Sequence, residues 1–495
     1  MKTCVIIGSG LGGLSCGCIL ALNGFRVIIL EQSNQIGGCL QCFQRDGVTF
    51  ETGMHYIGSA APGQTLHTIF RYLGIDKRIQ LSQLDTNGYD IISFQGKHYP
   101  FANGQQAFID TLSEQFPDSR VELQQYLQKI KRVGDSSAIH SLNRNARQDI
   151  NAEWQITSVD TVIDQTISNP TLREVLTGIL PLYAGIKRKT PFAIHALIAD
   201  FYNKSAYRIV GGSSRIATAL AEQIKQKGGE IHIGQKVVKI ECDERRATAV
   251  ITQQGQRFET DIVISSIHPT ATIQLIDSHL IRPIYRHRLK HLVNTIGAFT
   301  VYLKFHKNKV PYMNSNLFCY RSSTTWNSEQ YDEKSWPKSL LYMHFCHEPH
   351  PRYAESGQII SYMKFSDVEK WVGTNVGRRG NEYETFKKQK AEQLICALEK
   401  EIPGIRANIE SYYTSTPLTY YDYTGTPCGS MYGVAKDVNV FAQGGVSCKT
   451  RIPNLLLTGQ STVLHGMLGT LAGSFVTCSE VISTDEIFAQ LQAAR

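Results

Sequence analysis

The chain has 495 residues, 42% apolar and 19% charged, which is enough for a sizeable core and excludes global disorder. At roughly 150 residues per domain, the length suggests two or three domains or one large interrupted one. Lys plus Arg number 51 against 43 Asp plus Glu; an excess of +8 does not argue for nucleic acid, and no such partner is expected. Twelve cysteines, scattered without a framework, exclude a small disulfide-stapled secreted protein and point to a reducing, cytoplasmic compartment. Met1-Lys2 and the apolar run after it mimic a signal peptide, but glycines from Gly8 to Gly13 interrupt the run. The nearest long stretch without charge, Leu455 to Ser479, is rich in Gly, Ser and Thr, so no membrane span is expected.

Thr3 to Ile7 is the size of a buried parallel strand. Gly8-Ser9-Gly10-Leu11-Gly12-Gly13 follows and matches G-x-G-x-x-G, a small-residue helix runs from Leu14 to Asn23, and Phe25 to Leu30 is a second strand ending at Glu31 and Gln32. In such a unit the first glycine, Gly8, permits the tight turn. Gly10 lets the backbone approach a pyrophosphate, and Gly13 lets helix and strand pack closely. The helix N-terminus offers unsatisfied N–H groups to phosphate. Glu31 accepts hydrogen bonds from ribose hydroxyls and repels a 2′-phosphate. Glycine-rich turns are common, but strand, fingerprint, helix, strand and acid together at this spacing are not.

A glycine doublet, Gly37-Gly38, stands before Cys39, and Phe50-Glu51-Thr52-Gly53-Met54-His55-Tyr56-Ile57-Gly58 comes soon after. This pattern resembles the phytoene desaturase superfamily of FAD oxidoreductases and, more narrowly, its retinol saturase and carotenoid isomerase branch. Cys39 stands where desaturases and amine oxidases usually have Arg, which favours the saturase branch. The resemblance implies an α/β fold, with a Rossmann-like FAD-binding domain of the glutathione reductase and amine oxidase type and an interleaved α+β substrate domain. It implies noncovalent FAD contacted by the fingerprint residues Gly8, Ser9, Gly10, Leu11 and Gly13, by Glu31 and Gln32, and by Gly38, Cys39 and His55.

Further along, Val210 to Ile216 precedes a helix through Lys227, and Glu230–Ile233 and Lys236–Ile240 read as strands. The resemblance puts adenine against Val237 or Val238 and returns a strand, Asp261–Ser266, to the flavin domain. Gly211-Gly212 lacks the third glycine of a second fingerprint, so NAD(P)H, if it is the electron donor, has no dedicated domain. From Ser278 to Ser328 there is no acidic residue and eight Lys or Arg, a candidate docking face for anionic lipid and for peripheral attachment to a membrane. His344, Cys346, His347 and His350 crowd together, but without a second cluster nearby they read as a surface loop, and no metal is expected. Cys39 and Cys42 form C-x-x-C outside any thioredoxin-like context and read as unpaired thiols.

Leu455–Leu457 is a strand, followed by Thr458-Gly459-Gln460 and a small-residue helix through Cys478. The resemblance brings Gly459 and Gln460 to the pyrophosphate and ribityl chain, and Met467 and Leu468 to the isoalloxazine. The positive end of that helix stabilises the charge developing on reduced flavin. The FAD-binding domain is expected from 1–75, 209–288 and 448–495, and the substrate domain from 76–208 and 289–447. The expected activity is FAD-dependent oxidoreduction at C=C bonds of a hydrophobic polyene or isoprenoid, as a saturase. A desaturase or cis–trans isomerase of the same superfamily is the alternative. A non-enzymatic lipid escort like the Rab GDP-dissociation inhibitors is a second, disfavoured by the intact pyrophosphate cradle. His55, Tyr56 and His465 are the candidate proton donors. Substrate, direction, electron donor and oligomeric state are not legible.

Overall fold

The computed structural model describes residues 1–146, 152–345, 347–439 and 445–495. Five short segments form a parallel sheet in the order Glu230–His232, Arg26–Leu30, Thr3–Ile7, Ile262–Ser265, Leu455–Leu457. Both faces of the last four are covered, which is why they are mostly apolar without alternation, whereas the edge strand Glu230–His232 is polar and half-buried. One face packs against helices Leu11–Leu22, Ser214–Gln226 and Gly466–Cys478. The other packs against an antiparallel sheet of Val237–Cys242, Ala247–Thr252 and Arg257–Glu259, with Val5, Ile7, Val237 and Val250 in one buried cluster.

A second, seven-stranded sheet runs Ile409–Ser415, Gly297–Phe305, Ser356–Met363, Ser339–His344, Asn316–Tyr320, Asp90–Phe94, Lys97–Phe101. Its neighbours are antiparallel except Asn316–Tyr320 beside Asp90–Phe94. One buried cluster joins Phe318, Leu341 and Met343 to helices Arg120–Ser136 and Phe192–Lys204 through Leu123, Ile130 and Phe192. Another joins Phe299, Tyr342 and Ile359 to helix Asn381–Glu401 through Leu394 and Leu398. A small sheet of Ile57–Gly58, Ala206–Ile209 and Leu81–Gln83 lies in sequence between these two bodies and carries His55 and Tyr56 at its edge.

Among the described residues no helix is long and apolar enough to cross a membrane. The basic run 278–328 is not a single face. Its helix, Pro283–Lys290, exposes Arg282, Arg288 and Lys290, whereas Arg286 turns inward and donates to the carbonyls of Ile273 and Ile276 at 2.7 Å. Beyond it the chain enters the buried strands Gly297–Phe305 and Asn316–Tyr320, and Lys304 pairs with Glu410. Side-chain direction on the helix and burial of the two strands divide what sequence order had presented as one cluster.

Candidate functional site

A cavity of about 1040 Å³ runs from the glycine-rich turn into the body of the second sheet. Its near end is backbone. Gly10 is the N-cap of helix Leu11–Leu22 and has no capping side chain, so the first-turn N–H groups open onto the cavity wall formed by Gly10, Leu11 and Gly12. Helix Gly466–Cys478 is also without a side-chain cap, and Gly466 and Met467 face the same cavity. Two helix N-termini, each carrying partial positive charge, thus converge on one space.

The glycines explain the close approach. A Cβ on Gly13 would lie 2.1 Å from the Gly8 carbonyl oxygen, and one on Gly12 would lie 2.8 Å from Gly459 Cα. Gly12 was not singled out from the sequence, because its reason is a contact with a turn more than four hundred residues away. Glu31 is buried at the end of its strand; Oε2 accepts from Ser9 N–H (2.9 Å) and Ser9 O–H (2.6 Å), and Oε1 from Ser33 N–H (2.8 Å). Two carboxylate oxygens offer about four lone-pair sites, so acceptor capacity remains for a ligand hydroxyl.

Among the sequence candidates, Gly8, Gly10, Leu11, Glu31, Gln32, Gly38, Cys39, His55, Tyr56, Val237, Gly459, Gln460 and Met467 line this cavity. The rest differ. Ser9 is buried beneath it and bonds Glu31, and Gly13 packs against Gly8. Val238 points the other way on its strand and is 44% exposed, so of the two valines only Val237 faces the site. Leu468 is buried beside the cavity rather than in its wall, as its helical position turns it from Met467 into the core. His465 also lies outside the wall; its Nε2 is 3.2 Å from the Leu182 carbonyl and its ring stacks on Tyr432 at 4.4 Å. Gln235, Lys236, Ser266 to His268, Tyr202 and Tyr432 also line it and carried no local signal.

The electrostatics separate the proton-donor candidates. Burial holds the His55 imidazole down to about 3, with the Arg208 guanidinium adding to it. Burial and then Lys436 hold His465 down to about 3 as well. Both rings are therefore neutral near pH 7, and a proton from either would come from a neutral imidazole N–H. Tyr56 keeps its proton: burial, then Asp90, pushes its phenol well above the usual value. Burial raises the Cys39 and Cys42 thiols, and both cysteines are unpaired. In the histidine cluster, His344 bonds Tyr342 Oη at 2.5 Å and accepts from Met313 N–H at 2.9 Å, so both its nitrogens are engaged; Cys346 lies outside the described residues.

At its far end the cavity is aromatic, with Tyr202, Tyr302, Tyr362, Tyr420 and Tyr432 beside Leu340, Leu341 and Ile360. A glycine-lined, uncapped turn opening onto an apolar chamber suits a flavin dinucleotide with its reactive ring toward a lipophilic substrate.

Residues 11–370 match the model of the flavin containing amine oxidoreductases, and the chain belongs to that family. Within it, the chain is 30% identical to all-trans-retinol 13,14-reductase of Rattus norvegicus, over 99% of this chain and 87% of the relative. It is 27% identical to the Homo sapiens enzyme of that name, over 99% and 86%. A 4,4'-diaponeurosporene oxygenase of Staphylococcus aureus is 26% identical over 56% of this chain and 57% of its own length. Among solved structures, an oxidoreductase from Methanosarcina mazei aligns with a TM-score of 0.66 at 16% identity, covering 95% of this chain and 98% of its own. Cyclohexylamine oxidase from Brevibacterium oxydans aligns at 0.61 and 15% identity, covering 99% of each chain. These two show a shared fold.

Proposed function

We propose that the protein is an FAD-dependent oxidoreductase that saturates a C=C bond in a hydrophobic polyene or isoprenoid of retinoid or carotenoid type. The observation that carries this reading is the single cavity joining the uncapped helix N-termini to an aromatic chamber. The similarity to all-trans-retinol 13,14-reductases over nearly the whole chain supports the same class of substrate.

Gly10, Leu11 and Gly12 would hold the pyrophosphate, Glu31 the ribose and Val237 the adenine, with Gly459, Gly466 and Met467 near the ring system. When bound, FAD supplies a two-electron carrier able to exchange hydride with an alkene carbon. The protein's own part is to exclude water, to align the chain of the substrate against tyrosine faces, and to present a proton to the neighbouring carbon. The arrangement of the two large sheets supports a discontinuous FAD domain (1–75, 209–288, 448–495) and a substrate domain (76–208, 289–447). FAD is held noncovalently, since burial keeps Cys39 a thiol. NAD(P)H, as a donor, reacts by direct visit.

A lipophilic substrate has to be collected from somewhere, and peripheral membrane contact belongs to this reading. Helix Pro283–Lys290 and its flanks support it, since Ile284 and Val293 are exposed among Arg282, Arg288 and Lys290. Sedimentation with anionic vesicles should fall with rising salt and be lost on reversing Arg282, Arg288 and Lys290 to Glu. Salt-insensitive or absent sedimentation would remove the membrane from this account.

The test of the activity is anaerobic photoreduction of the FAD-loaded protein, mixing with all-trans-retinol and carotenoids, and mass analysis. A product heavier by two hydrogens is expected. A product of unchanged mass and altered double-bond geometry would mean isomerisation, and one lighter by two hydrogens from oxidised protein would mean desaturation.

A further inference from the structure

Tyr56 stands in the cavity wall, and the group directly behind it is a carboxyl. Its phenol donates to Asp90 Oδ2 at 3.0 Å. Asp90 is fully buried, and its Oδ1 accepts from Asn316 Nδ2 at 2.7 Å. Asn316 Oδ1 in turn accepts from Arg208 Nη2 at 2.7 Å. Arg208 is itself buried and held by the carbonyls of His55 (3.2 Å) and Ser315 (3.3 Å); among the described residues it has no carboxylate at ion-pair distance. Arg208, Asn316 and Asp90, on three separate strands, and Tyr56, just before a fourth, thus form one line, guanidinium to amide to carboxyl to phenol, ending at the cavity.

On its far side Asp90 borders a second, mostly apolar cavity of about 10 Å³, walled by Phe101, Phe108, Leu127 and Ile179 as well as by Tyr126 and Tyr202. Tyr202 borders both cavities and packs on Tyr56 with ring centroids 4.4 Å apart. Tyr126 Oη lies 2.7 Å from His195 Nε2, whose Nδ1 is 2.8 Å from Tyr183 Oη. The polar groups near Asp90 are therefore phenols, amides and one guanidinium, and the rest of its surroundings, with Phe101 and Ile179, is apolar. Nothing there compels it to stay ionised as a close ion pair would.

The hydrogen bond between Tyr56 and Asp90 has two states. When Asp90 is a carboxylate, the phenol donates to it and its O–H is turned from the substrate. When Asp90 is a carboxylic acid, it donates to Tyr56 Oη, and the phenol O–H is free to turn toward the cavity. Burial, opposed by Asn316, Tyr56 and Arg208, pushes the Asp90 carboxyl up to about 7, so both states are accessible near neutral pH.

We propose that Asp90 is a positioning residue and proton reservoir for Tyr56, turning its hydroxyl toward the substrate and replacing the proton it gives up. This rests on the saturase reading above. Once one alkene carbon has gained a hydride, with reduced flavin as the donor, the adjacent carbon bears the electron pair. That pair forms a C–H bond as the Tyr56 O–H bond breaks, and the resulting phenolate takes the Asp90 carboxyl proton. Asp90 is left as a carboxylate and is reprotonated from solvent between turnovers.

Two measurements test this. Infrared difference spectra of the purified holoprotein between pH 5 and 9 should show a carboxylic C=O band titrating near 7 that is missing in Asp90→Asn. Single-turnover reduction of all-trans-retinol by photoreduced protein should slow about tenfold per pH unit above 7 in the wild type, as a single required proton is lost. Asp90→Asn keeps a donor to Tyr56 and an acceptor for Asn316 but holds no transferable proton. It should be at least ~10-fold slower and flat with pH, with substrate affinity within about twofold. Tyr56→Phe should be slowed ~10²-fold, and the double variant no further, as expected of residues acting as a unit. An absent band, or an Asp90→Asn pH profile like that of the wild type, overturns the proposal while the saturase reading stands. Wild-type protein that shows the band yet leaves the probe's mass unchanged overturns the saturase reading and the role of Asp90 with it.

Discussion

The Glu31 carboxylate already accepts three hydrogen bonds within the chain, from Ser9 N–H, Ser9 O–H and Ser33 N–H. It therefore fixes the glycine turn as well as offering acceptors to a ribose. From the sequence, Glu31→Ala was expected to weaken FAD binding and leave the fold largely intact. The structure adds a cost to the apoprotein, because two buried donors on Ser9 and a half-buried one on Ser33 lose their acceptor. Titration calorimetry should show FAD affinity reduced about 10- to 100-fold, the equivalent of losing charge-assisted bonds of about 1.5–3 kcal/mol. Scanning calorimetry of the FAD-free variant should show a lower Tm, by about 2–4 °C for each kcal/mol lost. Reduced affinity with an unchanged apoprotein Tm would mean that the Ser9 and Ser33 bonds carry no structural weight.

At the scale of the element, the helices Leu11–Leu22 and Gly466–Cys478 both begin at the cavity wall, and neither has a capping side chain. Gly10, with φ −65° and ψ 175°, has the backbone of an N-cap residue but no side chain, and a Cβ there would meet nothing nearer than Ser266 Oγ at 4.0 Å. Gly10→Asp thus fits sterically and places a carboxylate on the free N–H groups. It should stabilise the helix by roughly a few tenths of a kcal/mol, since glycine is itself a tolerated N-cap, and abolish FAD binding by occupying and repelling the pyrophosphate position. Stability of the apoprotein and affinity for flavin are expected to move in opposite directions, the first read by denaturant melts and the second by absorbance after FAD titration. Retained flavin would show that these N–H groups do not face a phosphate.

For the whole molecule, pH dependence follows from buried titratable groups. Burial holds His55, His195, His344 and His465 at about 3, so between pH 4.5 and 6 they are neutral in the fold and protonated once unfolded. Unfolding there takes up four protons from this set. Asp90 and Glu51 act oppositely: burial raises both, they are protonated in the fold and ionised when unfolded, and unfolding releases their two protons. The net uptake is about two protons, so stability should fall as pH drops from 6 toward 4.5, by about 1.4 kcal/mol per pH unit for each net proton. Calorimetry in buffers of different ionisation enthalpy measures that uptake directly. Zero or negative uptake in this window would contradict the neutral, buried histidines.

The strand, glycine turn and acid of the first thirty-one residues were legible because each depends on neighbours a few positions away: backbone geometry at Gly8, and an apolar run sized for a covered strand at Thr3–Ile7. The returning segments Ile262–Ser265 and Leu455–Leu457 carried the same short-range signal, and the family resemblance supplied their destination. Other features exist only after folding. Gly12 is required by Gly459, Val237 faces the site while Val238 does not, and a basic run of sequence divides into an exposed helix and two buried strands. The line Arg208, Asn316, Asp90, Tyr56 spans more than 250 positions, and of its members only Tyr56 stood out in the sequence. Local sequence sets the dihedral and burial preferences of each segment and so determined the dinucleotide unit. Long-range packing alone decided which polar groups were carried together out of water, and that convergence determines which side chains can hold and pass a proton.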